Sequence, residues 1–314
     1  MSNGHRPPTN GRGRVSKRTF LVRRVVALGV VLMLGWGIVS LVGSALAGSD
    51  DTKAVAAVEP SINPVINDGG PTTLPPTTTT EPPVKERTVP STADPAELLI
   101  IGDSDAGTFG PYLKTLLDET GIVTTTVDYK VSSGLSRPDF FDWPSHMRQI
   151  VPQVNPDIVV VTFGGNDAQG LRNLDESWAV AREPSVDDAE WRTEYGLRVG
   201  ATMDYLSDAN RTLIWVGIPN DDNPEVTARM QVQDEVVRAE VAKRANVVFI
   251  DTWARFSGHN GGWAEFVVDP RDGEGKDVRA ADGFHLNENG AEILALDIAE
   301  AVRADLRDRG ATLP

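Results

Sequence analysis

Short apolar runs alternate with longer amphipathic stretches from residue 96 to the end of the chain. Five runs, rich in Val, Ile and Leu, predict buried strands: 98–101, 123–131, 158–163, 213–218 and 247–250. Apolar positions spaced three or four residues apart predict four helices: 108–119, 190–206, 225–245 and 288–306. Because the strands are almost continuously apolar and alternate with helices, we expect an α/β domain with a parallel sheet covered on both faces.

A different pattern precedes the domain. Residues 25–48 are 24 consecutive residues without a charge, and about 20 apolar residues suffice to cross a bilayer. The preceding residues 1–24 carry seven basic and no acidic side chains. The positive-inside rule therefore predicts a cytoplasmic tail (1–24), a transmembrane signal-anchor helix (25–48) and a domain outside the cell membrane. Two alternatives stay open, a signal peptide cleaved after Ala47 and a buried helix of a soluble protein.

Residues 49–95 are rich in proline and threonine. They hold nine prolines and the tract Pro71–Pro83, in which threonines and prolines predominate. Proline removes backbone donors and favours extended polyproline II, so this segment predicts a disordered linker. Residues 96–314 are therefore predicted to form the folded domain that carries the functional site.

The charge balance divides at the apolar run. Subtracting the seven basic side chains of residues 1–48 from the net charge of -15 leaves -22 on residues 49–314. So acidic a domain repels phosphate backbones, which excludes nucleic acid as an expected partner and favours neutral or cationic substrates unless the site is locally basic. Cysteine is absent, which excludes disulfides, thiolate metal sites and a cysteine nucleophile.

Polar motifs follow the predicted strands. Gly102–Asp105 follows the first strand, Ser132–Ser136 the second and Gly164–Asp167 the third, while Asp282–His285 precedes the last helix. The carboxyl ends of parallel strands meet at one edge of a sheet, where ligands bind in such folds. We therefore expect these four motifs to form one site.

These four motifs, in this order, resemble the SGNH (GDSL-like) hydrolase superfamily of serine esterases and acyltransferases. The resemblance covers residues 98 to about 306 and implies a three-layer α/β/α, flavodoxin-like parallel sheet. It also implies Ser104 as nucleophile, an Asp282–His285 pair, and an oxyanion hole made by the backbone N–H of Ser104 and Gly134 with the Asn166 amide. Neither a metal nor another cofactor is implied.

The residues support the same chemistry without the family. A serine hydroxyl needs a base, and Asp282 lies three residues before His285, a spacing that lets it hold the imidazole. His146 and His259 are the alternative bases in the domain. Ser104 could instead serve only as a helix N-cap, and Asn166 only as an Asx-turn. Asp103 and Asp167 are interpreted as structural.

One residue departs from the family pattern. The residue after the nucleophile is usually apolar, and here it is Asp105, whose charge would disfavour an oxyanion or repel anionic substrates unless the side chain points to solvent. The same acidic residues permit a second interpretation of the site, as a divalent-cation site. Its ligands would be four carboxylates and one histidine: Asp103, Asp105, Asp167, Asp282 and His285.

The resemblance extends to a bacterial membrane-anchored subgroup through residues 136–143 and 278–281. Some exported relatives add or remove acetyl groups on envelope polysaccharides, sometimes beside a membrane O-acyltransferase. We therefore expect an acylated glycan or small ester as substrate, with such an acyltransferase as a possible partner. The loop after the fifth predicted strand contains three aromatic side chains, those of Trp253, Phe256 and Trp263. They are candidates either to stack on sugar rings or to pack their own loop. The alternative function is a non-catalytic envelope-binding or scaffolding module that retains the fold.

Overall fold

The computed structural model describes residues 86–208 and 210–313. The predicted cytoplasmic tail, the predicted anchor at 25–48 and most of the predicted linker lie outside the described residues. Within the described ranges, no helix is both long enough and apolar enough to cross a membrane.

Five parallel strands form the central sheet, in the spatial order β2-β1-β3-β6-β7. Their bounds are Ala96–Gly102 (β1), Val123–Tyr129 (β2), Ile158–Thr162 (β3), Thr212–Val216 (β6) and Val247–Ile250 (β7). Two antiparallel pairs stand apart from the sheet: Leu171–Arg172 (β4) with Trp178–Val180 (β5), and Phe266–Val268 (β8) with Gly275–Asp277 (β9). The central strands follow the flavodoxin-like order, with β1 flanked by β2 and β3, which confirms the predicted fold class.

Between residues 86 and 313, six helices accompany the strands: Ser104–Asp118 (α1), Trp143–Val154 (α2), Ala189–Leu206 (α3), Pro224–Val241 (α4), Thr252–Arg255 (α5) and Glu288–Asp308 (α6). Helices α1 and α6 pack on one face of the sheet, against alternate strand residues such as Leu98 and Ile100. Helices α2, α3 and α4 cover the other face, against Leu99 and Ile101. Strands β1, β3 and β6 are therefore buried almost throughout on both faces, which explains why they read as continuous apolar runs, whereas the edge strands β2 and β7 are partly exposed.

Three differences from the predicted elements have physical causes. Helix α1 begins at Ser104 rather than 108, because the Asp103 carboxylate accepts the N–H of Asp105 and caps the helix ahead of its apolar stripe. Helix α2 was not predicted; Asp142 caps it by accepting from Ser145, and Pro144 occupies its first turn. Strands β4, β5, β8 and β9 have only two or three residues each, too few to give a periodic signal.

The last residues assigned to the predicted linker contact the domain. Arg87 donates a hydrogen bond of 2.8 Å to the Asn210 carbonyl and one of 3.0 Å to the Thr212 hydroxyl. Pro90 is buried. Ordered packing therefore begins several residues before β1.

Candidate active site

The end of β1 places Ser104 at the edge of the sheet. Gly102 has a φ of +153°, and a Cβ there would lie 2.2 Å from the Thr162 carbonyl oxygen, so only glycine permits this approach of β1 to β3. The chain then turns into α1, with Ser104 as its first residue. Because the N-terminus of a helix carries partial positive charge, negative charge developing near Ser104 is stabilised.

Ser104, His285 and Asp282 form a continuous chain of hydrogen bonds. The Ser104 hydroxyl oxygen lies 2.8 Å from His285 Nε2, and His285 Nδ1 lies 2.7 Å from Asp282 Oδ2. The other carboxylate oxygen of Asp282 accepts the backbone N–H groups of Phe284 and His285, at 3.1 and 3.0 Å. Asp282 thus holds both the imidazole and the turn that carries it, which is the geometry of a Ser-His-Asp triad.

The hydrogen bond between His285 and Asp282 raises the pKa of the histidine and lowers the pKa of the carboxylate. The hydrogen bond to Asp282 raises the pKa of His285 to about 8, against the opposing effect of burial and with help from the charges of Asp105 and Asp103. The hydrogen bond from His285 lowers the pKa of Asp282 to about 2. An ionised carboxylate therefore faces the imidazole across the neutral pH range, as a histidine base requires.

A buried carboxylate shapes the loop that follows β2. Asp167 accepts the backbone N–H groups of Leu135 and Ser136 and the hydroxyl of Tyr195, each at 2.9 Å. Gly134 lies directly against it: a Cβ at this position would be 2.0 Å from Asp167 Oδ1. The loop can therefore reach Asp167 only if residue 134 is glycine.

A second buried carboxylate joins the loops after β1 and β3. Asp103 caps α1 and also accepts the backbone N–H groups of Gly164 and Gly165, at 3.2 and 3.1 Å. Burial raises the pKa of Asp103 well above its usual range, with a further contribution from the charge of Asp105. The structural interpretation of Asp103 and Asp167 agrees with these contacts, because both carboxylates hold backbone groups of neighbouring loops.

Three candidate hydrogen-bond donors lie in the segments that follow β1, β2 and β3. In the part of the chain that the structure describes, the backbone N–H groups of Ser104 and Gly134 have no protein acceptor. The Asn166 amide donates one hydrogen to the Ser133 carbonyl oxygen at 3.2 Å, which fixes its orientation and leaves its second hydrogen available. This is the donor set that an acyl-transfer oxyanion hole needs.

Arg279 organises the segment around His285, a role that the sequence did not indicate. It is 6% exposed and donates to the carbonyl oxygens of Asn220, Phe256, Ala264 and Phe284 and to the Asn220 side chain. Burial lowers its pKa to about 10, although several carboxylates act in the opposite direction. One guanidinium therefore ties two loops, the one after β6 and the one after α5, to the turn before His285. A single arginine in a loop carries no periodic signal that would have revealed this.

Asp105 does not point to solvent. The residue is 7% exposed, and its Oδ2 atom is buried without a hydrogen-bond partner in the described chain. Burial raises its pKa to about 6, partly offset by the charge of His285. The departure from the family pattern is thus a buried carboxylate beside the triad.

The other candidate residues lie apart from this cluster or serve the loops. His146 pairs with Asp128 at 2.6 Å, and His259 is exposed in its loop. Phe256 is fully buried, so it packs the loop and is unable to stack on a sugar. Trp263 is partly buried and donates to the Gly283 carbonyl oxygen.

Three carboxylates of the cation-site interpretation, those of Asp103, Asp167 and Asp282, accept backbone N–H groups. Among the described residues, no group of three or more His, Asp or Glu side chains is arranged to hold a metal ion. Hydrogen bonds join the four sequence motifs at one edge of the sheet.

No curated protein matches the chain in sequence. An alpha/beta hydrolase enzyme from the metagenome of Lake Arreo is 18% identical, with a TM-score of 0.46 over 67% of this chain and 96% of the other. An acetyl xylan esterase from Geobacillus stearothermophilus is 18% identical, with a TM-score of 0.47 over 69% and 95%. A GDSL-like lipase from Bacteroides thetaiotaomicron is 14% identical, with a TM-score of 0.45 over 69% and 92%. These likenesses are too low to transfer an activity.

A family match covers most of the described domain. The family described as "Protein of unknown function (DUF459)" matches residues 97–301, which include all four strand-end motifs. The chain belongs to the DUF459 family.

Proposed function

We propose that the domain is an SGNH-type serine hydrolase, an esterase or O-acyltransferase that acts on ester-linked acyl groups. The observation that carries the proposal is the hydrogen-bonded chain from Ser104 through His285 to Asp282. The donor set around Ser104 supports the same chemistry, since acyl transfer needs both an activated nucleophile and an oxyanion hole.

The reaction follows from these positions. The Ser104 hydroxyl oxygen bonds to the ester carbonyl carbon while its proton passes to His285 Nε2, 2.8 Å away. Asp282 stabilises the imidazolium that forms. The oxyanion accepts hydrogen bonds from Ser104 N–H, Gly134 N–H and the Asn166 amide. When the tetrahedral intermediate collapses, the bond to the leaving alcohol breaks and His285 returns the proton to that alcohol.

The second half of the reaction regenerates the serine. Water or a sugar hydroxyl attacks the acyl-enzyme carbonyl, and His285 takes the proton of the attacking group. The bond between Ser104 Oγ and the acyl carbon then breaks, and His285 returns the proton to Ser104. Water as acceptor releases a free acid and makes the protein an esterase. A sugar hydroxyl as acceptor makes it an O-acyltransferase.

The openness of the triad supports a bulky, glycan-borne ester as substrate. The side chains of His285 and Asp282 are 32% and 52% exposed, so an ester on a polymer can approach without entering a deep channel. We place the domain on the outer side of the cell membrane, tethered by residues 25–48, or secreted if the chain is cut after Ala47. The substrate is then an acylated envelope glycan, the acyl group acetyl, and a membrane O-acyltransferase a candidate partner.

Hydrolysis of 4-nitrophenyl acetate by the full chain tests the proposal. We expect turnover by the wild type and loss of turnover in Ser104→Ala, with unchanged thermal unfolding. Thr115→Ala is a matched control, because it also removes a hydroxyl from α1, one that donates to the Pro111 carbonyl oxygen and does not contact the triad. A wild type without turnover, together with glycan binding, would favour the non-catalytic alternative.

Product masses separate hydrolysis from transfer. An acetylated donor and a glycan acceptor are supplied together. Acetylated acceptor supports transfer, whereas free acetate as the only product supports an esterase.

A further inference from the structure

We propose that Asp105 is a positioning residue for the proposed reaction, a second carboxylate that stabilises the His285 imidazolium and is anchored through a buried water to Thr162 and Thr252. The inference rests on the proposed function only for its kinetic consequence. Its structural basis lies in side chains that the triad does not use.

Three buried oxygen atoms belong to residues that line one small cavity. Asp105 Oδ2, Thr162 Oγ1 and Thr252 Oγ1 are each buried and lack a hydrogen-bond partner within the described residues. Asp105, Thr162 and Thr252 all line a single cavity of about 10 Å³. Such a volume holds about one water molecule, and a buried water makes about three hydrogen bonds. A water here donates to the carboxylate and exchanges hydrogen bonds with the two hydroxyls, so one molecule satisfies all three atoms.

The same cavity lies beside the catalytic histidine. Leu286, the residue after His285, is part of its lining. A Cβ built on Gly165 would lie 3.2 Å from Asp105 Oδ2 and 3.0 Å from the ring of Phe284. The Phe284 ring in turn contacts the His285 imidazole edge-on, at 4.9 Å between centroids. Leu286 therefore shares the cavity with Asp105, and the Phe284 ring lies with Asp105 Oδ2 on the same side of Gly165.

The charges around the imidazole make Asp105 effective. The charged groups near the imidazole come from the start of α1, from the loop after β6 and from the segment that carries His285. They are Asp103, Asp105, Asp221, Asp222, Arg279 and Asp282. The Asp103 carboxylate binds three backbone N–H groups, and the Arg279 guanidinium is directed at carbonyl oxygens. Asp105 is instead buried with a free oxygen. A buried charge acts more strongly than an exposed one because water screens it less.

The pKa of His285 is the direct readout. Full-length chain in detergent, with ¹³C-labelled histidine, is titrated by NMR, and His285→Gln assigns the resonance. Removal of the negative charge in Asp105→Asn disfavours the imidazolium, so we expect the pKa of His285 to fall by about one unit. Asp308→Asn is the matched control at the far end of α6, about 30 Å from the start of that helix, and leaves the pKa unchanged. An unchanged pKa in Asp105→Asn overturns the proposal.

This readout needs no turnover, so it separates the proposal from the proposed function. In an active enzyme, we expect the acid limb of kcat/KM in Asp105→Asn to move to lower pH while the plateau at high pH falls. If Asp105 had a purely structural role, its replacement would lower kcat/KM at every pH without moving the acid limb of the pH profile. Asp105→Leu, which restores the apolar residue usual in SGNH hydrolases, is expected to move the limb in the same direction if the asparagine variant folds poorly.

A near-atomic crystal structure tests the anchor. We expect one solvent peak within about 3.2 Å of the three oxygen atoms. A direct hydrogen bond between Asp105 and either threonine, or a cation with short metal–oxygen distances, would overturn the water-mediated anchor.

Discussion

Replacing Gly134 with alanine should damage transition-state stabilisation far more than it damages folding. The added Cβ would stand 2.0 Å from Asp167 Oδ1, whereas ordinary contact begins at 3.4 Å. The loop or the carboxylate must therefore move by about 1.4 Å, and a displacement of about 1 Å at a reacting centre is able to cost about 100-fold in rate. Loss of one oxyanion donor costs about 10²–10³ in kcat. We expect kcat/KM to fall by about 10²–10³, equivalent to about 3–4 kcal/mol in activation free energy.

Steady-state hydrolysis of 4-nitrophenyl acetate and thermal unfolding measure the two effects separately. Gly275→Ala is the matched control, since a Cβ at Gly275 meets nothing within 4 Å. We expect the control to retain wild-type kcat/KM and the Gly134 variant to remain folded. Wild-type kcat/KM in Gly134→Ala would refute the assignment of this loop as part of the oxyanion hole.

The remaining predictions concern the amide, the histidine and the buried arginine. Asn166→Ala should lower kcat about 10²–10³-fold with little change in KM, and an unchanged kcat would remove Asn166 from the oxyanion hole. Because Asp282 raises the pKa of His285 to about 8, kcat/KM should rise with pH and level off above 8; a profile flat from pH 6 to 9 contradicts this. Asp282→Asn weakens the interaction that favours the imidazolium, so the acid limb should move to lower pH while the plateau falls by about 10⁴. Arg279→Met leaves buried carbonyl groups unpaired and should reduce the free energy of unfolding in urea by about 3 kcal/mol, with Arg279→Lys recovering only part of it.

The parts of this fold that the sequence predicted are those with a repeating physical cause. Strand β3 is buried at every position because helices cover both faces of the sheet, and its bounds were predicted to within one residue. The strand-end motifs were located because parallel strands bring their carboxyl ends to one edge. His285 precedes the last helix instead of following a central strand, so its meeting with Ser104, 181 positions away, was expected from the SGNH resemblance.

The features that the sequence did not predict depend on single contacts between distant segments. Nothing near Arg279 in the chain indicates that its guanidinium will bind carbonyl groups of two distant loops. The burial of Asp105 follows from the cavity formed by β3, α5 and the His285 turn, which no local pattern encodes. Helix α2 was missed because its two prolines, Pro144 and Pro152, suggest a loop, although Pro144 suits a helix start.

Labelling of the full chain with a fluorophosphonate probe tests the central claim most directly, because the probe bonds covalently only to an activated serine. Above pH 8, where His285 is neutral, we expect one adduct per chain on the tryptic peptide that contains Ser104. The adduct should be absent in Ser104→Ala and should form far more slowly in His285→Gln. A wild type that stays unlabelled, or a Ser104→Ala variant that keeps the adduct, would contradict the account.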